Sequence, residues 1–117
     1  MGTKALFQLN TGLTWKRIDI RDVVTFIAPY AKTSFDEDWP SRAFRCGNLI
    51  QLDFRVDILE KPGGNAFLQV NEPYKPIDQV YIGLNTGGIL INSSGSCGGW
   101  IDPGAYFIHV VYAINLQ

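Results

Sequence analysis

The sequence predicts an all-β domain, built as an antiparallel β-sandwich or barrel. Residues 50–58 alternate strictly between apolar and polar side chains, which is the pattern of a strand with one buried face. Other alternating segments are separated by short turn signals, and 12 Gly and 6 Pro in 117 residues favour turns over long helices. We therefore expect less than about a tenth of the residues to be helical.

The segment from residue 50 to residue 58 is the central element of the prediction. Its apolar face consists of Ile50, Leu52, Phe54, Val56 and Ile58. Its other face consists of Gln51, Asp53, Arg55 and Asp57. At ~3.3 Å per residue this segment spans roughly 30 Å, which exceeds an ordinary strand. We expect it to cross the whole domain and to pair with its neighbours.

Further strands are predicted on both sides of this segment. They are residues 4–10, 15–20, 23–27, 66–70, 77–84, 89–92 and 105–116. A bend at Arg21-Asp22 separates two of them. Residues 60–65 form a strong turn signal, which predicts that residues 66–70 return as a hairpin partner of the central strand. Residues 29–41 show no periodicity and predict a long surface loop.

The last predicted strand, residues 105–116, is apolar on both faces. One face consists of Tyr106, Ile108, Val110, Tyr112, Ile114 and Leu116, and the other offers only His109 and Asn115 as polar side chains. A strand in a small monomeric sandwich usually has one polar face. Either another layer of the same chain or a second copy of the chain must cover the second face, and the pattern leaves both open.

Composition excludes several classes of function. The net charge is −1 and the pI is near 5.7, without a cluster of Lys or Arg, so we expect no nucleic-acid partner. No apolar run approaches the ~20 residues of a membrane span, and no secretory leader is evident at the N-terminus. We therefore expect no membrane insertion and folding in the cytoplasm.

The sequence lacks the residue patterns of common catalytic and metal-binding sites. The chain has one histidine, His109, and neither Cys46 nor Cys97 lies at metal-ligand spacing. No nucleophile elbow or phosphate loop is present. We expect a protein that is not an enzyme and that binds neither a cofactor nor a metal. A carboxylate pair for glycoside hydrolysis and a disulfide between the two cysteines remain open at this level.

Two segments have a composition suited to saccharides. Sugars stack their apolar ring faces on aromatic planes, while carboxylates and amides bond the hydroxyls. Asp36 and Trp39 form one such group, and Trp100 and Asp102 form the other. The alternative is that both tryptophans fold inward and close the ends of the barrel. We expect Trp15 and His109 to lie in the core or in an interface.

The order of several motifs resembles one family. An aromatic-rich segment is followed by Arg45-Cys46-Gly47-Asn48-Leu49-Ile50-Gln51-Leu52, then by Pro73-Tyr74-Lys75-Pro76, Val80-Tyr81-Ile82-Gly83, Gly87-Gly88-Ile89-Leu90-Ile91 and a final apolar strand. Across residues 40–117 this arrangement resembles the C-terminal heads of phage tail-fibre and baseplate receptor-binding proteins.

The resemblance implies a homotrimeric, jelly-roll-like head at the tip of a virion tail. Residues 15–117 would form the head, and residues 1–14 an arm or a shortened linker. The implied partners are a saccharide of the host cell surface and other tail or baseplate proteins. Two alternatives remain: a structural baseplate or collar module that binds only tail proteins, and a monomeric carbohydrate-binding module detached from an enzyme.

Overall fold

Two antiparallel sheets of five strands each face one another across a single core. This computed structural model describes residues 14–32 and 41–115. Within that part of the chain, 58% of residues lie in strands and 4% in helix, so the predicted all-β sandwich is confirmed. The strand predicted at residues 4–10 and the arm formed by residues 1–14 lie, except for Thr14, outside the described residues.

The chain passes repeatedly from one sheet to the other. In chain order they are β1 (Lys16–Ile18), α1 (Ile20–Val23), β2 (Val24–Phe26), β3 (Ala31–Lys32), β4 (Arg42–Cys46), β5 (Leu49–Ile58), β6 (Ala66–Val70), β7 (Val80–Leu84), β8 (Gly87–Ile91), β9 (Ser96–Trp100) and β10 (Gly104–Ala113). The first sheet has the order β1-β4-β5-β10, with β3 also paired to β5. The second sheet has the order β2-β6-β9-β8-β7.

Strand β5 is the central strand of the first sheet, as its alternation predicts. Every second side chain from Ile50 to Ile58 is buried, while the residues between them are half-buried. β3 and β4 pair with one edge of β5, one after the other, and β10 pairs with the other edge along its whole length. The strand therefore holds the first sheet together.

The predicted hairpin between the central strand and residues 66–70 is wrong. Both edges of β5 are already paired, so no edge remains for a further strand. Residues 59–65 instead carry the chain to the second sheet, where β6 pairs with β2 and β9. The turn signal was correct, but the partner of the following strand is decided by contacts distant in sequence.

Three short strands and one helical turn were not predicted. β3 and β4 lie where the sequence indicates a loop or an aromatic-rich lead-in. β9 consists of Ser-Cys-Gly-Gly-Trp, which has low strand propensity, but β6 and β8 flank it on both sides and supply its backbone partners. The bend predicted at Arg21-Asp22 is the four-residue helix α1, capped by the Asp19 carboxylate. Among the described residues, no helix is long and apolar enough to cross a membrane.

The core is formed by the inward faces of both sheets. Its fully buried members include Ile50, Leu52, Val56, Phe67, Leu68, Val70, Val23 and Ile114. Phe26 of β2 and Phe54 of β5 meet edge to face across the two sheets, with ring centroids 6.1 Å apart. Burial of these apolar side chains is the main force that holds the sheets together.

The two cysteines do not form a disulfide in this structure. Cys97 is buried in the core, and Cys46 is half-buried on β4. Burial raises the pKa of the Cys97 thiol to about 12, so this thiol stays protonated and acts as an apolar core residue.

The outer face of β10 is apolar and exposed. Phe107 and Val111 are 54% and 46% exposed. β10 is also an edge strand of its sheet. His109 lies between them on the same face, where its Nδ1 pairs with the Asp53 carboxylate of β5. It is exposed, so the core position considered for His109 is wrong.

The pKa of the Asp53 carboxyl is lowered in the folded chain. Burial alone would raise the pKa of the Asp53 carboxyl, but hydrogen bonds from His109 and Gln51 and the positive charge of Arg42 together outweigh it. The carboxylate therefore contributes stability in full above the ordinary aspartate pKa of about 3.9, and the contribution is lost as the pH falls through the lower folded value.

We expect the free energy of unfolding of the Asp53→Asn variant to depend less on pH in the acid range than that of the wild type. The variant has no carboxyl to titrate at this position. Its free energy of unfolding should therefore fall less between about pH 5 and about pH 2 than that of the wild type. Urea denaturation at both pH values measures the difference. Asp22→Asn, which leaves the Asp53–His109 pair in place, is the control. Equal losses in wild type and Asp53→Asn would contradict the prediction.

Candidate functional site

A groove of about 450 Å³ lies on the outer face of the second sheet. It is lined by Gly64, Tyr81, Gly87, Gly88, Ile89, Leu90, Gly98, Gly99 and Trp100. Glycines from β8, β9 and the loop of residues 59–65 make up most of the lining. Because they have no side chains, the sheet surface is recessed between the two aromatic residues.

Trp100 forms one wall of the groove. It is the last residue of β9, it pairs with Gly88 of β8, and it is 72% exposed. Its indole lies over Gly64, where an added Cβ would be 2.8 Å from Cζ2 of the ring. Gly64 also has a φ of +87°, a backbone conformation that favours glycine. The contact supports the indole from one side and leaves most of its surface open to solvent.

Tyr81 forms the opposite wall. It points outward from β7, where it pairs with Leu90, and it is 70% exposed. Its ring lies over Gly88, since an added Cβ there would be 2.7 Å from both Cε1 and Cζ of the tyrosine. Gly88 thus lies next to both aromatic residues. An aromatic ring packed on a glycine loses little conformational freedom when a ligand stacks on it, because packing has already ordered it.

No charged residue lines the groove in the described part of the chain. Two residues that are near Gly64 and Trp100 in sequence form an ion pair. Lys61 and Asp102 pair at 3.5 Å, and both are exposed. Lys61 belongs to the same loop as Gly64, and Asp102 follows Trp100 by two residues. The Asp102 backbone is fixed, because its N–H donates to Thr86 Oγ1 at 3.3 Å and its carbonyl accepts from the Tyr106 hydroxyl at 2.7 Å.

The predicted site residues have different outcomes. Trp100 does not fold into the core, and its exposed ring forms a wall of the groove. Asp102 does not line the groove, because its carboxylate lies beside Lys61. Asp36 and Trp39 lie outside the described residues. Trp15 is 45% exposed and therefore not a core residue.

Sequence reasoning missed Tyr81 and the glycine floor. The period-two pattern of residues 77–84 already put Tyr81 on the outward face, and Gly-Gly pairs occur at residues 87–88 and 98–99. These were signals for an aromatic residue beside a recessed surface. They could not be combined before it was known that β7, β8 and β9 are neighbours in one sheet.

The chemistry available in the groove is stacking and apolar contact. An uncharged lining with two exposed aromatic planes suits a ligand with apolar faces, and 450 Å³ lies within the usual range for small-molecule sites. Within residues 14–32 and 41–115, no three His, Cys, Asp or Glu side chains are grouped so that they could hold a metal ion.

Comparison of the chain with protein-family models, with curated proteins and with solved structures finds no match.

Proposed function

We propose that this domain binds a saccharide in the groove between Trp100 and Tyr81. The proposal depends on one observation: two exposed aromatic rings flank a glycine-lined recess on the outer face of the second sheet. The apolar faces of a sugar ring stack on such planes. The Lys61–Asp102 pair does not line the groove, so it would offer polar groups only to a ligand that extends beyond the lining residues.

The biological setting that we propose is the tip of a phage or prophage tail, where the domain recognises the host cell surface. The resemblance of residues 40–117 to receptor-binding heads supports this setting. A single shallow sugar site reaches only about micromolar to millimolar affinity, but linked sites gain about 10²–10⁴ when they can bind together. A homotrimer would present three such grooves on one particle.

The outer face of β10 supports the proposed trimer. Its exposed Val111 lies next to the half-buried Gln51 of β5, and the half-buried Phe44 of β4 lies on the other side of Gln51. The partner that we propose for this face is a second copy of the chain, as part of a closed three-fold arrangement.

Binding of the purified domain to a panel of host cell-wall glycans tests the function. We expect saturable binding of a neutral saccharide, with micromolar to millimolar affinity per site. Binding only to tail or baseplate proteins would replace the proposal with the structural-module alternative. Binding of a proline-rich peptide would also overturn it, since exposed aromatic grooves hold that kind of ligand as well. A monomer that binds glycans would favour the detached carbohydrate-binding module.

We expect Gly88→Ala to weaken saccharide binding by about tenfold, because the added methyl group displaces the Tyr81 ring from its position over residue 88. The matched control is Gly83→Ala on the same face of β7, where the methyl group would meet Tyr81 Cε2 at an ordinary 3.7 Å. Isothermal titration with the best glycan measures both. Equal affinities of the two variants would show that the position of Tyr81 does not matter for binding.

A further inference from the structure

A second cavity, of about 480 Å³, lies at the end of the sandwich where β10 finishes. It is lined by Arg45, Glu72, Pro73, Lys75, Pro76, Ile77, Ser93, Ile114 and Asn115. It shares no lining residue with the groove between Trp100 and Tyr81. We refer to it as the Arg45 cavity.

Backbone hydrogen bonds fix the walls of the Arg45 cavity. The Ile114 N–H donates to the Asn48 carbonyl at 2.7 Å, and the Ile77 N–H donates to the Ala113 carbonyl at 2.9 Å. Pro76 and Ile114 form an antiparallel bridge, and both are buried. Three separate segments of the chain are thereby tied together around the cavity, so its shape is formed before any ligand arrives.

Arg45 is the distinctive residue of this cavity. On β4, Arg45 pairs with the fully buried Ile50 of β5, and Arg45 itself is half-buried. Its Nε donates to the Gly47 carbonyl at 2.9 Å, which orients the guanidinium group. Within the described residues the Arg45 side chain makes no other hydrogen bond, which leaves its terminal N–H groups available there.

The charges around the cavity favour an anion. Lys75 pairs with Glu72 at 3.0 Å, and these two charges offset each other. The guanidinium of Arg45 then leaves the lining with one net positive charge. The lining also includes the apolar residues Pro76, Ile77 and Ile114 beside these charged groups.

We propose that the Arg45 cavity binds an oxyanion, either a carboxylate or a phosphate group. The planar fork of a guanidinium matches two oxygens of such a group, and charge-assisted hydrogen bonds of this kind are stronger than neutral ones. The Lys75 ammonium group, which pairs with Glu72, lines the same cavity. Acidic saccharides and phosphate-containing polymers both present this chemistry. The site is separate from the proposed saccharide groove and does not depend on it.

Titration of the ¹⁵N-labelled domain with inorganic phosphate and with glucuronate, each followed by NMR, tests the proposal, and glucose serves as the neutral control. We expect either anion to shift the Arg45 Nε–H and the Ile77 and Asn115 amides at millimolar concentration, and glucose to leave them unchanged. Arg45→Gln should weaken binding by about tenfold to a hundredfold. Arg45→Lys keeps the charge but not the fork, and should bind at an intermediate strength.

The matched control is Arg42→Gln, which removes an exposed arginine of the same strand. It should bind the anion as the wild type does, and thermal melting of every variant establishes that the fold is kept. Binding of only one of the two anions supports the site and identifies which group it takes. Absence of shifts with both anions, or equal loss in Arg42→Gln and Arg45→Gln, would overturn the proposal.

Discussion

Replacing Trp100 by alanine should abolish saccharide binding while the domain remains folded. The indole is one of the two stacking planes of the groove, and loss of a central aromatic residue of this kind typically costs 2 kcal/mol or more, which is about thirtyfold in affinity. Since one site binds only at micromolar to millimolar concentrations, a further thirtyfold loss makes binding undetectable. Isothermal titration and a whole-cell binding assay measure the effect.

The stability of Trp100→Ala separates a binding residue from a core residue. Because the side chain is 72% exposed, we expect the free energy of unfolding to change by no more than about 0.5 kcal/mol. A buried tryptophan would cost about 3–5 kcal/mol. Trp15→Ala, which removes another exposed tryptophan just before β1, should keep full binding. A folded Trp100→Ala variant with wild-type binding would reject the groove as the site.

Val111→Asp should dissociate the proposed trimer. The substitution places a carboxylate without a partner in a face that assembly would bury, and an uncompensated buried charge costs about 3–5 kcal/mol. The dissociation constant should therefore rise by about a hundredfold to several thousandfold. Within the isolated subunit Val111 is exposed, so the variant should still fold and its circular dichroism should match that of the wild type.

Light scattering coupled to size exclusion measures this effect at micromolar concentration. Tyr81→Asp, which places the same charge on the outer face of the other sheet, should leave assembly unchanged. A wild-type monomer at micromolar concentration would contradict the trimer. A trimer unaffected by Val111→Asp would show that subunits meet elsewhere than on β10.

Local patterns determined a large part of the fold. The alternation of residues 50–58 predicted the central strand of the first sheet and which of its side chains are buried. The turn residues 85–88 likewise predict that the chain reverses between the strands at 77–84 and 89–92; in the structure β7 and β8 pair, and only residues 85–86 form the loop. Both follow from the period of two along a strand and from turn chemistry, which depend only on neighbouring residues. For Trp100 the sequence left both an inward-facing and a ligand-binding position open, and the structure shows its ring to be exposed.

Only the tertiary structure decided which strands are neighbours. β6 pairs in the second sheet because both edges of β5 are filled, and β9 is a strand because β6 and β8 flank it, despite its glycines. The groove depends on the same facts, since Tyr81 and Trp100 come from strands separated by β8. Pairing is a competition among edges distant in sequence, so no local pattern contains it. The sequence shows an aromatic residue at position 100. Only the pairing of strands in the second sheet brings Tyr81 opposite Trp100 and forms the recess between the two rings.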